Sequence, residues 1–247
     1  MEKGVLYIAY GKNFIKELCF SAQTLKRHNP DLHITVFSDK EFTSEFVDDV
    51  RIIDVKHLRP KIDYIHESPY EQTLFLDTDT IITYKLDDMF QLLETYDVAA
   101  VHDLARKRKK YSSSIPEYER IPYCFSEVNT GVIVFENNER VSKLFERWRH
   151  YFYKYKSISP WDQPSFRISL WETISEDDLQ LYVMPVEYNI RSKANREKQR
   201  RFHHEFGEEH LHPRIYHMHA DNINQGRYEV ENLEQVVEFC KKNHMEY

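Results

Sequence analysis

The sequence predicts an α/β fold with a mostly parallel, twisted central sheet flanked by helices. Two observations carry this. Through the first hundred residues, short apolar runs of strand length alternate with stretches whose apolar residues recur at helical spacing, the pattern of a parallel sheet covered by helices. The length of 247 residues suits a substantial core, and no internal repeat or low-complexity linker interrupts it, so a single domain over 1–247 is expected.

Val5-Leu6-Tyr7-Ile8-Ala9 reads as a buried strand ending at Tyr10-Gly11. Asn13 is a candidate N-cap for the next helix, in which Phe14, Leu18, Ala22 and Leu25 share one face; Asn29-Pro30 closes it. Residues 33–37 are β-branched and aromatic, a strand that stops at Ser38-Asp39, and Arg51-Ile52-Ile53 reads as a third. Leu74-Phe75-Leu76 runs directly into Asp77-Thr78-Asp79. Ile81-Ile82-Thr83-Tyr84, a short helix over 86–93 and a strand over 98–101 follow. In the second half, 130–135 reads as a strand. Residues 139–155 form an amphipathic helix carrying Val141, Leu144, Phe145, Trp148 and Phe152. Residues 159–164 punctuate the chain before another helix, 181–184 and 214–219 read as strands, and 232–240 as a last helix.

Composition narrows the function. A formal charge of -7 argues against generic nucleic-acid binding. With only 5 Gly, a Gly-rich phosphate cradle is not expected, so a phosphate ligand would be met by cations or side chains. Cys19, Cys124 and Cys240 are widely spaced, odd in number and lack a CxxC motif, which fits a reducing compartment and no zinc or redox site. The apolar run before Gly11-Lys12 is too short for a signal or an anchor. No later stretch reaches membrane-spanning length. A cytoplasmic protein without a membrane span is expected; oligomeric state is not legible.

Asp77-Thr78-Asp79 is the most informative segment. Two carboxylates two residues apart on an extended chain point the same way and can reach one cation. Their hard oxygens suit Mg2+ or Mn2+ bridging to substrate phosphates. The alternative is a turn with solvated Asp residues. Flanking Leu74-Phe75-Leu76 and Thr80-Ile81-Ile82 favour the cation, because carboxylates inside an apolar run are costly unless compensated.

The surrounding motifs extend this to a family resemblance. The Phe75-Leu76-Asp77-Thr78-Asp79 segment, followed by Leu86-Asp87 and Phe90, resembles the DxD element of GT-A glycosyltransferases. Asn129-Thr130-Gly131-Val132, Asp162-Gln163, Tyr188-Asn189 and the 215–220 segment around His217 resemble, in order, elements of family 8, the group of glycogenin and bacterial lipooligosaccharide galactosyltransferases. The resemblance implies a GT-A fold and metal-dependent transfer of a hexose, with retention, from a nucleotide diphosphate sugar (UDP-linked) to a hydroxyl acceptor on a glycan, a lipid-linked sugar or a protein. It implies Mn2+ or Mg2+ on Asp77, Asp79 and His217, with His219 as the alternative third ligand. Tyr10 and Gly11 would border the base and ribose, with Tyr10 alternatively a half-exposed core aromatic. Asp39, Thr78 and Gly131 are further donor-side candidates. Asn129 and Gln163 would face the donor sugar and Asp162 would bind its hydroxyls. Asp162 as a general base with inversion, or simply as a helix N-cap, stays open.

One departure stands out. The family follows its late His with Gly and then Lys-Pro, whereas this chain has Met218-His219-Ala220-Asp221 and no Lys-Pro. Arg227 or the basic run 191–201 is the candidate replacement on the diphosphate, and a second basic run covers 106–110. Two alternatives compete: a haloacid dehalogenase-type phosphatase or phosphotransferase with Asp77 as nucleophile, and an inactive carbohydrate-binding module. The first normally has Thr or Val four positions after the nucleophile, where this chain has Ile81. The second would show damaged metal or sugar positions, yet Asp77, Asp79 and Gln163 are all present.

Overall fold

A computed structural model of the protein describes residues 1–103, 107, 114–191 and 213–217. Nine strands are present among these: β1 Lys3–Ala9, β2 His33–Ser38, β3 Asp49–Ile52, β4 Gln72–Leu76, β5 Thr80–Ile82, β6 Val98–His102, β7 Val128–Glu136, β8 Leu181–Met184 and β9 Ile215–His217. The helices are α1 Gly11–His28, α2 Lys61–Tyr64, α3 Asp87–Gln91, α4 Pro116–Arg120, α5 Glu139–Tyr155 and α6 Asp162–Asp177. Seven strands form one sheet in the order β3-β2-β1-β4-β7-β6-β8, and β5 pairs with β9 in a second. The pairs β1–β4, β2–β3 and β6–β8 are parallel, whereas β6–β7 is antiparallel. The large sheet is therefore mixed, with parallel pairing predominant. Strand order reverses direction between β1 and β4, and α/β sheets bind ligands beyond the carboxyl ends of strands at such a point. Tyr10 and Asp77 follow those two ends.

The described chain divides into two compact units, one built from residues 1–6, 55–75 and 88–184, the other from 7–54, 76–87 and the residues from 185 onward.

In the first unit, α5 starts at an Asn138 cap whose side-chain oxygen accepts from the Val141 amide at 3.0 Å. Its buried residues are the five read from periodicity: Val141, Leu144, Phe145, Trp148 and Phe152. Trp148 packs on Phe166 of α6 with ring centroids 4.4 Å apart. Its indole donates to the Asp162 carbonyl at 2.9 Å, which ties the start of α6 to α5. Helix α6 is buried on several sides, and its inward hydroxyls are satisfied within the helix: Ser169 donates to the Ser165 carbonyl and Thr173 to that of Ser169. Asp97, at the head of β6, is 2% exposed. It accepts from Arg140, Asn138 and the Gln180 amide, so one carboxylate joins β6, α5 and the entry to β8. Gly4 is required by contact: a Cβ there would lie 2.2 Å from the Tyr70 ring.

In the second unit, α1 buries Ile15, Leu18, Ala22 and Leu25, and between them Glu17, Ser21 and Thr24. These polar residues lie along one face of the helix. Glu17 accepts from Thr78, Ser21 bonds Thr80, and Thr24 accepts from the Ile82 amide. A polar stripe on α1 thus holds the segment from Thr78 through β5 at every second residue. The helix begins two residues before Asn13. Gly11 has φ 71°, which a side chain would strain, and this lets the chain turn straight from β1 into the helix. Tyr10 occupies the cap position with no side-chain capping bond to the helix, and the Asp39 carboxylate accepts the Gly11 amide at 2.9 Å.

No helix among the described residues is long and apolar enough to cross a membrane. Cys19 is half-buried and Cys124 exposed, both free thiols. Cys240, the expected helix over 232–240, the basic residues 192–201 and Arg227 lie outside the described residues, as do Arg106 and residues 108–110.

Candidate active site

The Asp77-Thr78-Asp79 segment is a turn between β4 and β5, not the extended strand that the sequence suggested. Thr80 closes it by donating its hydroxyl to the Asp77 carbonyl at 2.9 Å. The carboxylates still converge, because Thr78 between them is turned inward. Thr78 is 7% exposed, and its hydroxyl donates to Glu17 Oε2 at 2.8 Å. Burial pushes the Glu17 carboxyl up to about 7; the Thr78 bond opposes this, and the charges of Asp79 and Asp77 add to it.

Strand β9 brings the third group. It pairs antiparallel with β5, with His217 opposite Thr80. His217 Nε2 lies 3.1 Å from Asp79 Oδ1 and 3.7 Å from Asp77 Oδ2. One ligand atom from each of the three lies within 4.8 Å of the others. His217 is buried, and its Nδ1 lies 3.0 Å from the Asn189 side-chain oxygen. Donation of Nδ1–H to that oxygen leaves the Nε2 lone pair facing the carboxylates, as a metal-ligating imidazole requires. Two carboxylate oxygens and one imidazole nitrogen at this spacing fit a single Mn2+ or Mg2+ with positions left for substrate phosphates. His219 lies outside the described residues.

A second cluster lies in the first unit. Asn129 on β7 donates Nδ2–H to Gln163 Oε1 at 3.3 Å, and its own oxygen accepts the Gly131 amide at 3.0 Å. Gln163 donates to Glu127 Oε1 at 2.5 Å. Asp162 is the first residue of α6 and not its cap. Trp161 holds the cap position, and the Asp162 carboxylate turns instead to Thr130 Oγ1 at 2.7 Å and Lys61 Nζ at 3.0 Å, with Arg59 Nε 3.7 Å away. Burial alone would raise the Asp162 pKa, but Lys61, Arg59 and the Thr130 bond outweigh it and hold the carboxyl well below the usual range. Lys61 also donates to the Thr130 carbonyl at 3.0 Å, so one ammonium fixes both β7 and the head of α6.

The remaining nucleotide candidates fall at the end of β1. Tyr10 is half-buried, with its ring 4.9 Å from Phe14, and Gly11 meets the exposed Asp39 as described.

Each of the two clusters also contains residues that motif reading passed over. Glu17 and Glu127 each left a trace. Glu17 interrupts the apolar face of α1 in step with Ser21 and Thr24, and Glu127 sits two residues before Asn129, on the same side of an extended chain. Lys61 and Arg59 left none, being ordinary basic residues around a proline.

Residues 71–232 match the nucleotide-diphospho-sugar transferase family. The chain belongs to that family. No curated protein matches it in sequence. Among solved structures it is similar to the galactosyltransferase LgtC in complex with donor and acceptor sugar analogs, at 14% identity and a TM-score of 0.58 over 95% of this chain and 99% of that one. It is similar to the glycosyltransferase GlyE of Streptococcus pneumoniae at 17% identity and a TM-score of 0.60, over 100% of this chain and 61% of that one. Mouse xyloside xylosyltransferase 1 matches at 12% identity and a TM-score of 0.56, over 88% and 97%. An active-site Gln-to-Glu variant of LgtC is also among the matches. At such identities the likeness establishes the fold, which is GT-A and resembles family 8. This family member is a transferase enzyme acting in glycosyl transfer, which decides against phosphoryl transfer on Asp77 and against an inactive module.

Proposed function

We propose that this nucleotide-diphospho-sugar transferase moves a hexose from a UDP-linked donor to a hydroxyl acceptor, with a divalent cation on Asp77, Asp79 and His217 and with retention at the anomeric carbon. The observation that carries the reading is the convergence of three donor atoms within 4.8 Å, one of them on an imidazole oriented by Asn189. A cation held there would neutralise the diphosphate as it leaves.

The protein's own residues divide the remaining work. Tyr10 and Gly11 border the base and ribose, with Asp39 fixing the turn that presents them. Asn129 and Gln163 face the donor sugar, and Asp162 binds its hydroxyls from a carboxylate kept charged by Lys61 and Arg59.

Retention is supported by what Asp162 does not offer. A general base works best with a pKa near the operating pH, and Asp162 is held far below that. Neither amide is a base. The acceptor hydroxyl therefore attacks the face the diphosphate is leaving, the C1–O bond to phosphate breaks, and the proton passes to the departing phosphate oxygen. The carbonyl oxygen of Gln163 lines the opposite face of the electron-poor carbon. The active-site glutamine of LgtC supports this role for Gln163. Metal-dependent release of UDP from a UDP-hexose, with the product anomer assigned by NMR, tests both parts. Absence of Mn2+-dependent binding of any UDP-sugar by calorimetry would refute the donor assignment, and an inverted anomer would refute retention.

A further inference from the structure

Gln163 is held at both ends by groups that cannot exchange roles. Its Nε2 donates to Glu127 Oε1 at 2.5 Å, and its Oε1 accepts from Asn129 Nδ2 at 3.3 Å. Asn129 is itself keyed, because its oxygen takes the Gly131 amide and leaves only the NH2 for Gln163. Glu127 is 0% exposed, and its second oxygen accepts from the Tyr118 hydroxyl, so the carboxylate is an acceptor on both sides. Flipping the Gln163 amide would set oxygen against carboxylate oxygen at one end and NH2 against NH2 at the other. A buried polar group in such a mismatch costs on the order of 1–3 kcal/mol, enough to leave one orientation populated.

Beneath Glu127, the Arg167 guanidinium lies 4.8 Å from the Tyr118 ring centroid and is 1% exposed. Its Nη2 donates to the Pro122 and Phe125 carbonyls at 2.9 and 2.8 Å. Burial lowers the Arg167 pKa, and its acidic neighbours, Glu127 among them, oppose the loss. A buried carboxylate is costly unless its oxygens are met by donors, and here those donors are the Tyr118 hydroxyl and the Gln163 amide.

We infer that Glu127 is a positioning residue for catalysis: it fixes the Gln163 carboxamide with its carbonyl oxygen, and not its NH2, toward Asn129 and the donor sugar. This rests on the role proposed above for Gln163. An NH2 facing a carbon that gains positive charge would repel it, whereas an oxygen stabilises it.

The test is a double-mutant cycle at saturating donor with Glu127→Ala, Gln163→Ala and the pair. Glu127→Ala is expected to lower kcat about tenfold or more with donor KM within about twofold. In the Gln163→Ala background it should cause no further loss, since Glu127 acts through Gln163. Losses that multiply overturn the inference. If Glu127→Ala does not fold, Glu127→Gln replaces it; a smaller kcat loss confined to the Gln163 background is expected, and equal losses in both backgrounds overturn the inference. An NMR readout separates this from failure of the proposed reaction. The Gln163 side-chain NH2, assigned by its absence in Gln163→Ala, should show one strongly downfield, exchange-protected proton that moves upfield in Glu127→Gln. No such proton in the wild type refutes the positioning role even if the enzyme turns over, and its presence supports that role even if no UDP-sugar reacts.

Discussion

His217 Nδ1 lies 3.0 Å from the side-chain oxygen of Asn189, so Asn189 sets the tautomer of the imidazole that faces the two carboxylates. Asn189→Ala is expected to weaken Mn2+ binding about 10- to 100-fold, the usual effect of removing the partner of a ligating His. Isothermal calorimetry with Mn2+ and a UDP-sugar reads the change. Asn189→Asp should bind at least as well as Asn189→Ala, because the carboxylate still accepts from Nδ1.

Asp79 is the carboxylate nearer His217, at 3.1 Å. Asp79→Ala should abolish metal-dependent donor binding and turnover while leaving the far-UV circular dichroism unchanged. In the wild type, a chelator should stop turnover, and Mn2+ or Mg2+ should restore it. A Mn2+-induced rise in melting temperature, present in the wild type and absent in Asp79→Ala, reports binding to the native state alone.

Lys61 and Asp162 form a buried pair with 3.0 Å between Nζ and Oδ2. The folded pKa of Asp162 lies well below its value of about 3.9 in an unfolded chain. The stability it contributes is therefore full above that value and is lost as the pH falls from there through the folded value. Lys61→Met should cost about 3 kcal/mol at pH 7, toward the low end for breaking a buried pair because Arg59 remains nearby. The gap between variant and wild type in urea unfolding should narrow as the pH drops below about 4.

Gly4→Ala would place a methyl group 2.2 Å from a Tyr70 ring that is 1% exposed. Neither β1 nor the ring has room to yield. The expected cost is about 1–3 kcal/mol, read as a melting temperature lowered by several degrees, with donor affinity unchanged at temperatures where the variant stays folded.

Much of this architecture could be read before the structure because it follows from local pattern. The inward face of α5 repeats at helical spacing, and Leu74-Phe75-Leu76 is too apolar to be anything but a buried strand leading to Asp77. Pairing direction could not be read in this way: nothing in 130–135 distinguishes a parallel strand from the antiparallel neighbour of β6. A turn at Asp77-Thr78-Asp79 is one of two readings that the local sequence allows, but nothing local selects it, because it depends on Glu17 of α1 capturing Thr78. Lys61 and Arg59 follow the same rule. Their value lies in meeting Asp162 across a hundred residues of chain, and such long-range meetings leave no mark on the composition around them. The alternation of Glu127 with Asn129 was visible, yet it gains meaning only once Gln163 is found between them.

The pairing of β9 with β5 also has a consequence during synthesis. A ribosome that has released Asp77 and Asp79 must still make everything from β5 through β8 before His217 emerges. Until then β5 lacks its partner, and its backbone is an open edge to which other chains can add. A product terminated early would carry both aspartates yet have no imidazole to complete the centre and no strand to cover that edge. It would be both inert and prone to associate, because β9 supplies the imidazole and the covering strand together.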